Sequence, residues 1–355
     1  MTGRPHRRPR LEDVAAKVGV STGTVSLVLS NAPGPSAATR ERVMAAAAEL
    51  AYRPDRTASL LARRRAHLLG VMLDVRSTFH AELVAELHDA AEAAGYDVLL
   101  STVTPTRDSR RAIETLVDSR CEALVLLGPD APTARLTALG EQIPVVVVGR
   151  RLRSATLDVV RTADDHGVAA AVDHLVGLGH RDIAFVDGGQ GTIATDRRSG
   201  YLRAMCRHGL EDRVRVLAGD QTEVAGTSAA KQLVGSDEPP TAVVTYNDRV
   251  ALGLLDGLLR AGVAVPEEVS VVGYDDSPSA HLPHVDLTTV SQDTRRQAEN
   301  AVQAAVERLD GARTTPRQVV LEPRLVVRRT TSAPRARTGL TRSGVNGAAA
   351  PSTAP

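Results

Sequence analysis

The sequence predicts a small all-α helix-turn-helix headpiece followed by a two-lobed α/β body. Three observations lead there: two short amphipathic patterns joined by a glycine near the N-terminus, two successive series of apolar runs alternating with helical stretches, and a charge imbalance between the two parts. Residues 1–66 hold 12 Lys and Arg against 5 Asp and Glu, and residues 67–355 hold 31 against 37, so a net charge of +1 over 355 residues hides the asymmetry. A basic segment on a mildly acidic body is the footprint of a polyanion-binding module joined to a domain with another task. Lys17 and Lys231 are the only lysines, so arginine supplies nearly all of the positive charge.

In the headpiece, assigned to residues 9–54, Leu11, Val14, Ala15 and Val18 fall at i, i+3, i+4 and i+7 and form one apolar stripe. Glu12 and Asp13 occupy the first turn, where the helix dipole favours negative charge. Gly19 can turn at positive φ, Val20 returns to the core and Ser21 stands where a hydroxyl caps a second helix from Thr22 to Ser30. Val25, Val28 and Leu29 face inward, which leaves Thr22, Gly23, Ser26 and Leu27 on the outward, N-terminal end. In a helix-turn-helix that end enters the major groove. The same spacing suits an ordinary helical hairpin inside an enzyme, so the flanking sequence has to decide. Met1 to Arg10 is a basic arm expected to be disordered until it meets phosphate. Ala32 to Pro35 reads as a loop, and Ser36 caps a third helix whose inward face is Val43, Ala46, Ala47 and Leu50.

Residues 55–66 form a hinge helix in this reading. Pro54 ends the third helix, Asp55 can cap a segment from Arg56 to Arg65, and that segment carries Leu60 and Leu61 among arginines. It is too short to be stable alone. An apolar residue there can wedge into a minor-groove base step while neighbouring guanidiniums, Arg63 among them, hold phosphates. The alternative is an amphipathic linker docked on the body.

The body, residues 67–331, contains apolar runs at Leu68–Leu73, Tyr96–Thr102, Glu122–Leu127 and Pro144–Val148, then Asp182–Val186, Arg213–Leu217, Ala242–Thr245 and Val269–Tyr274. Short continuous runs of this kind fit parallel strands covered on both faces. Helices from Asp165 to Leu178, Asp196 to His208 and Asp248 to Ala261 each end at a glycine, a common stop signal. Gln292–Asp310 reads as another helix and Gln318–Arg328 as final strand pieces. Two βαβ series imply two doubly wound lobes, with a ligand cleft where the carboxyl ends of their strands face each other. From Ser332 to residue 355 the composition predicts a disordered tail.

The classes excluded are as informative. Cys121 and Cys206 are too few for a disulfide framework and lack metal-ligand spacing. H-E-x-x-H and G-x-x-x-x-G-K-[ST] do not occur, so neither an enzyme, a bound cofactor nor a metal is expected. Asp187-Gly188-Gly189-Gln190-Gly191 lacks the Lys-Ser/Thr of a phosphate loop and reads as a cleft loop. His180 reads as a helix-end residue. The absence of an apolar signal region or a long apolar run points to a cytoplasmic protein that does not contact a membrane.

Several stretches, in this order, resemble the lactose/galactose-repressor (LacI/GalR) family: DVAAKVGVSTGTVSLVL, TRERVMAAAAELAYRPD, DHLVGLGHRDIAFV, RRSGY, NDRVALG, VSVVGYDD and LTTVSQD. The resemblance covers roughly Leu11 to Thr330. It implies a cytoplasmic repressor that binds double-stranded operator DNA as a homodimer. Its body would be periplasmic-binding-protein-like, with a small-molecule effector between the lobes. By position, the resemblance makes Thr22, Gly23 and Leu27 base-reading residues, Ala58 the small hinge residue and Leu61 the minor-groove leucine. It makes Arg197, Asn247 and Asp275 effector ligands, with Gln292 nearby and Phe79 and His80 on the cleft wall. An Arg fork, an amide and a carboxylate suit a polyhydroxylated ligand. Departures are also visible. Gly23 cannot hydrogen-bond a base, Thr22 and Leu27 offer methyl contacts to thymine, and two Phe with no Trp make a poor platform for stacking a typical sugar. A solute receptor for transport would share the two lobes, but would carry a signal peptide and no basic headpiece.

Overall fold

The computed structural model describes residues 9–30, 32–52 and 66–335, in two compact units that divide between Ala66 and His67. The first unit holds α1 (Leu11–Val18), α2 (Thr22–Leu29) and α3 (Ala37–Glu49). Gly19 ends α1 at φ 72° with its N–H on the Ala15 carbonyl. Ser21 caps α2 by accepting the Thr24 N–H at 3.1 Å, and Ser36 caps α3 through the Thr39 N–H at 3.3 Å. Gly19-Val20-Ser21-Thr22-Gly23 has the spacing of a hydrolase nucleophile motif, but Ser21 follows a helix and is occupied as a cap, so the strand-to-helix elbow such a nucleophile needs is absent. The core consists of small aliphatics: Val14, Val25 and Val43 are fully buried and Ala15, Val18, Val28, Ala46 and Ala47 close around them. So small a core stabilises weakly, and polar contacts supplement it. Lys17 bonds Glu49 at 2.6 Å, and Arg42 and Arg40 donate to the Val18 and Ala32 carbonyls.

The second unit contains two lobes. The first lobe's sheet joins β1 (Leu68–Asp74), β2 (Asp97–Val103), β3 (Ala123–Leu127), β4 (Val145–Val148), β5 (Asp158–Thr162) and β11 (Gln318–Leu321). All pairs are parallel, in the order β11-β5-β4-β3-β1-β2. Because successive side chains point to opposite faces, Val125 and Leu127 pack with α4 (Thr78–Ala93) and α11 (Thr294–Leu309), while Leu124 and Leu126 pack with α5 (Ser109–Asp118) and α6 (Thr133–Gly140). This two-sided burial is why the strands read as continuous apolar runs.

In the second lobe, β6 (Ile183–Val186), β7 (Arg215–Leu217), β8 (Ala242–Thr245) and β9 (Ser270–Val272) form a parallel sheet in the order β7-β6-β8-β9. One face packs on α7 (Asp164–Gly177) and α8 (Thr192–Arg207), the other on α9 (Glu223–Val234) and α10 (Asp248–Arg260). A short antiparallel ribbon pairs β10 (Thr289–Ser291) with β12 (Arg324–Val326). The chain therefore passes between the lobes three times: from β5 to α7, from β10 to α11, and from β11 to β12.

Some expectations shift. β5 was not anticipated, because DVVRT is short and closed at each end by polar residues; it pairs with β4 and β11 through its backbone. α8 starts one turn before Asp196, at Thr192, with Gly191 at its cap. Glu211–Arg213 forms a 3-10 turn, which shortens β7. The folded body also continues past Thr331, where the sequence places its end. Ser332 accepts from the Ser270 hydroxyl through its carbonyl at 3.2 Å and donates its N–H to the same hydroxyl at 3.1 Å.

α9 and α10 approach closely enough that a Cβ on Gly253 would lie 1.9 Å from the Glu223 carbonyl oxygen and one on Gly226 2.0 Å from that of Val250. Both lie against backbone, which cannot rotate away. Gly253→Ala is expected to lower stability by about 2 kcal/mol or more, seen as a lower urea midpoint; an unchanged midpoint would show that the helices separate without cost.

Candidate functional site

The structure places Thr22, Gly23, Ser26 and Leu27 together on the exposed face of α2. Leu27 is 42% exposed, unusual for a leucine in so small a unit. The first turn of α2 contains no acidic residue, so the positive end of the helix dipole is left open to phosphate. Ala58, Leu61 and Arg63 lie outside the described residues.

In the body, the carboxyl ends of β6, β8 and β9 carry a buried polar group. Arg197, 4% exposed, donates from Nε to Asp164 at 2.8 Å and from Nη1 to the Tyr246 carbonyl at 2.5 Å. Its Nη2 stands 3.6 Å from Asp275. The guanidinium also lies over two rings, 3.7 Å from the centroid of Tyr274 and 4.7 Å from that of Tyr246, a geometry that favours a desolvated cation. Gln292 donates to Asp275 at 2.6 Å. Three of the five residues expected to bind an effector, Arg197, Asp275 and Gln292, thus form one cluster, joined by an ion pair and a hydrogen bond. They bind one another before they bind anything else.

Asn247 also has a structural part. Its Oδ1 caps α10 by accepting the Val250 N–H at 2.9 Å, and its Nδ2 donates to the Gln221 carbonyl at 3.2 Å. One N–H and one lone pair remain for a ligand. Phe79 belongs to the other lobe. It lies in the first turn of α4, half-buried against that lobe's core, and so is not brought into contact with the Arg197 cluster. Beside it His80 accepts the Asp74 N–H at Nδ1, 3.1 Å away. Burial pushes this imidazole down to about 4 against the pull of Asp74, so it is neutral with its hydrogen on Nε2. Opposite, Ile193 of α8 comes close enough that a Cβ on Gly149 would lie 3.6 Å from its Cδ1. The end of β4 in the first lobe and the first turn of α8 in the second therefore lie side by side.

Sequence reasoning missed Asp164, Tyr246 and Tyr274. The two tyrosines each stand one residue before a named ligand and could have been found by that adjacency. Asp164 offered no local signal, being 33 residues from Arg197. Two other polar residues have structural partners. His180 is a structural histidine bonded to Thr241 and to the Ser332 carbonyl, each at 2.8 Å. Asp276 is the structural neighbour of Asp275, held by Arg328 at 2.7 Å. The described residues contain no group of His, Cys, Asp and Glu suited to a metal.

One cation faces two buried carboxylates here. The shorter bond makes Asp164 its ion-pair partner. Burial pushes Asp275 up to about 8, against the opposing pull of Arg197, so its carboxyl carries a proton at neutral pH and can donate as well as accept.

Two regions of the sequence match known families. Residues 10–55 match the bacterial regulatory proteins of the lacI family, and residues 172–331 match a periplasmic binding protein-like domain. That combination defines a class, regulators that join a DNA-binding headpiece to a binding-protein-like body. The HTH-type transcriptional regulator GalR of Escherichia coli K12 is 32% identical over 329 residues, covering 91% of this chain and 96% of GalR. The chain belongs to the lacI family of bacterial regulatory proteins. A lac repressor dimer bound to operator and the anti-inducer ONPF superimposes with a TM-score of 0.80 at 28% identity, covering 92% of this chain and all of that one, at 100%. The complex of the transcriptional regulator CelR with cellobiose gives 0.67 at 30% identity, over 91% of this chain and 100% of that one. No helix among the described residues is long and apolar enough to cross a membrane.

Because folded Asp275 keeps its proton up to about pH 8, whereas an unfolded Asp loses it near 4, unfolding between these limits releases a proton. This group's contribution to stability is therefore full below about 4, falls as pH rises and is lost by about 8. Asp275→Asn, which keeps the shape of the protonated acid, is expected to flatten the dependence of thermal unfolding on pH between 5.5 and 7.5. An unchanged slope would mean that Asp275 is ionised in the folded protein.

Proposed function

We propose that this protein is a sequence-specific transcriptional repressor that binds double-stranded operator DNA as a homodimer, in the cytoplasm, and that a small polar metabolite held between the lobes sets its operator affinity. The observation that carries the reading is the exposed N-terminal end of α2 on one unit, with a buried polar cluster at the strand ends of another. GalR, the lac repressor and CelR are regulators of the same design, and the lac repressor structure holds operator while that of CelR holds cellobiose. The basic helix-turn-helix counts against a transport receptor.

The DNA contacts follow from the chemistry of α2. Thr22 and Leu27 supply methyl groups for thymine, Ser26 a hydroxyl for phosphate or a base edge, and Gly23 allows close approach of the backbone. Ala58, Leu61 and Arg63 are assigned to the hinge contact with the minor groove. For the effector, Asp275 and Arg197 give a protonated carboxyl and a guanidinium, and Gln292 and Asn247 contribute amides. Phe79 provides an apolar wall. Such a cleft selects hydroxyl and carbonyl oxygens by hydrogen bonding more than by stacking.

Gel shift with genomic fragments, at stated salt, should retain a subset of sequences, with affinity falling steeply as salt rises; no retention at low salt would refute the reading. Leu27→Ala is expected to weaken binding to a retained fragment by on the order of tenfold, since one base contact is worth a few kcal/mol at most, with little change on random DNA. Equal loss on both would remove Leu27 from base readout. Gln292→Ala is expected to abolish release by whichever metabolite releases the wild type while leaving operator affinity intact; normal release would exclude the assigned cleft.

A further inference from the structure

The two lobes are clasped at two places. Arg249 of α10 donates to the Arg76 carbonyl of the first lobe at 2.6 Å, and Glu223 fixes its guanidinium by bonds of 2.7 and 2.6 Å. Arg151, from the loop between β4 and β5, reaches Asp196 at 3.2 Å and Asp165 at 3.3 Å in the second lobe. Glu82 of α4 faces the same junction without such a partner. Its Oε1 is buried and accepts no hydrogen bond among the described residues. The charges that act on it are those of Asp248 and Asp276, both in the opposite lobe.

Neither aspartate can relieve it. Asp248 is taken up within its own lobe by the Thr289 hydroxyl at 2.6 Å and the Ser277 N–H at 2.7 Å. Asp276 binds Arg328 at 2.7 Å and His281 at 3.1 Å, so both of those side chains serve Asp276. On its own helix, neighbouring His80 is neutral. A like-charge contact across a movable junction favours separation of the lobes, and the clasps favour closure.

We propose that Glu82 makes lobe closure sensitive to pH: its ionised carboxylate opposes the two arginine clasps, and its protonated form lets them hold. Burial, and after it the charges of Asp248 and Asp276, push the closed-state carboxyl up to about 7, against an ordinary value of 4.5. With the lobes apart the group returns to water and to that ordinary value. Closure is therefore unopposed below about pH 4.5, becomes steadily less favourable as pH rises, and reaches its full penalty above about 7. Asp248 is also pushed up, to about 6, by burial. Its hydrogen-bond partners lie in its own lobe and stay with it when the lobes part, so it contributes less to the difference.

The test uses the full chain without effector, and so succeeds or fails independently of the proposed function. Dyes on Cys206 of the second lobe and on a cysteine replacing exposed Val117 of the first report lobe separation by energy transfer. An excess of unlabelled chain leaves one labelled copy per assembly. The closed-to-open ratio should fall by on the order of a hundredfold between pH 5 and pH 8, since the carboxyl moves between 4.5 and about 7 and each pKa unit corresponds to a tenfold change. Glu82→Gln should keep the ratio near its acid value throughout, and Asp276→Asn should move the wild-type midpoint to lower pH. A pH response that survives in Glu82→Gln, a midpoint unmoved by Asp276→Asn, or a wild type with no response would each overturn the proposal.

Discussion

The buried guanidinium of Arg197 binds the parts of the body that its topology keeps apart. Asp164 follows the first passage between the lobes, Gln292 begins the second, and Asp275 lies just beyond β9; all three are tied to Arg197 directly or through Asp275. Two carboxylates against one cation in an apolar setting cannot all be ionised at low cost. Asp164 takes the short bond, and burial, which raises both carboxyls, pushes Asp275 up to about 8. A buried pair of this kind is weak evidence of stability by itself. Its role here is positional, because it sets the orientation of the strand ends that form the cleft.

Backbone strain collects at the same place. Asp275, Asp276 and Asp293 adopt φ of 117°, 58° and 54°, values that cost energy for residues bearing a Cβ. Each is held by its side chain: Asp275 by Gln292, Asp276 by Arg328, and Asp293 by the Arg296 N–H at 3.0 Å as the cap of α11. Asp is well suited to such positions, since a short carboxylate can reach local donors. The strain and the polar cluster are one construction, and both occur where the chain changes lobes.

The sequence disclosed the headpiece well because its determinants are local. Gly19, Ser21 and Ser36 act within three or four residues of where they stand. The parallel strands were readable too, since burial on both faces leaves uninterrupted apolar runs. β5 was hidden because backbone pairing, with no apolar signature of its own, defines DVVRT as a strand. In the cleft the residue types were readable and their roles only partly so. Arg197 and Asp275 were marked by the family resemblance, yet Asp164 becomes the partner of Arg197 only through a fold that joins residues 33 apart. Asn247 shows a role that was legible and went unread: besides being singled out as a ligand, it stands just before Asp248, a place that marks it as a helix cap.

On the proposed function, the polarity of the two working surfaces is unequal, and the inequality has a consequence. α2 presents two methyl-bearing side chains, a glycine and a single serine, so each headpiece discriminates weakly among base pairs. The cleft buries a guanidinium, a protonated carboxyl and two amides, and so can discriminate strongly among small ligands. Weak readout per headpiece makes specific binding depend on two headpieces acting together at the right separation. A modest rearrangement of the body then changes operator affinity by a large factor without altering any base contact, which makes a headpiece poor in hydrogen-bonding groups well matched to control from the body.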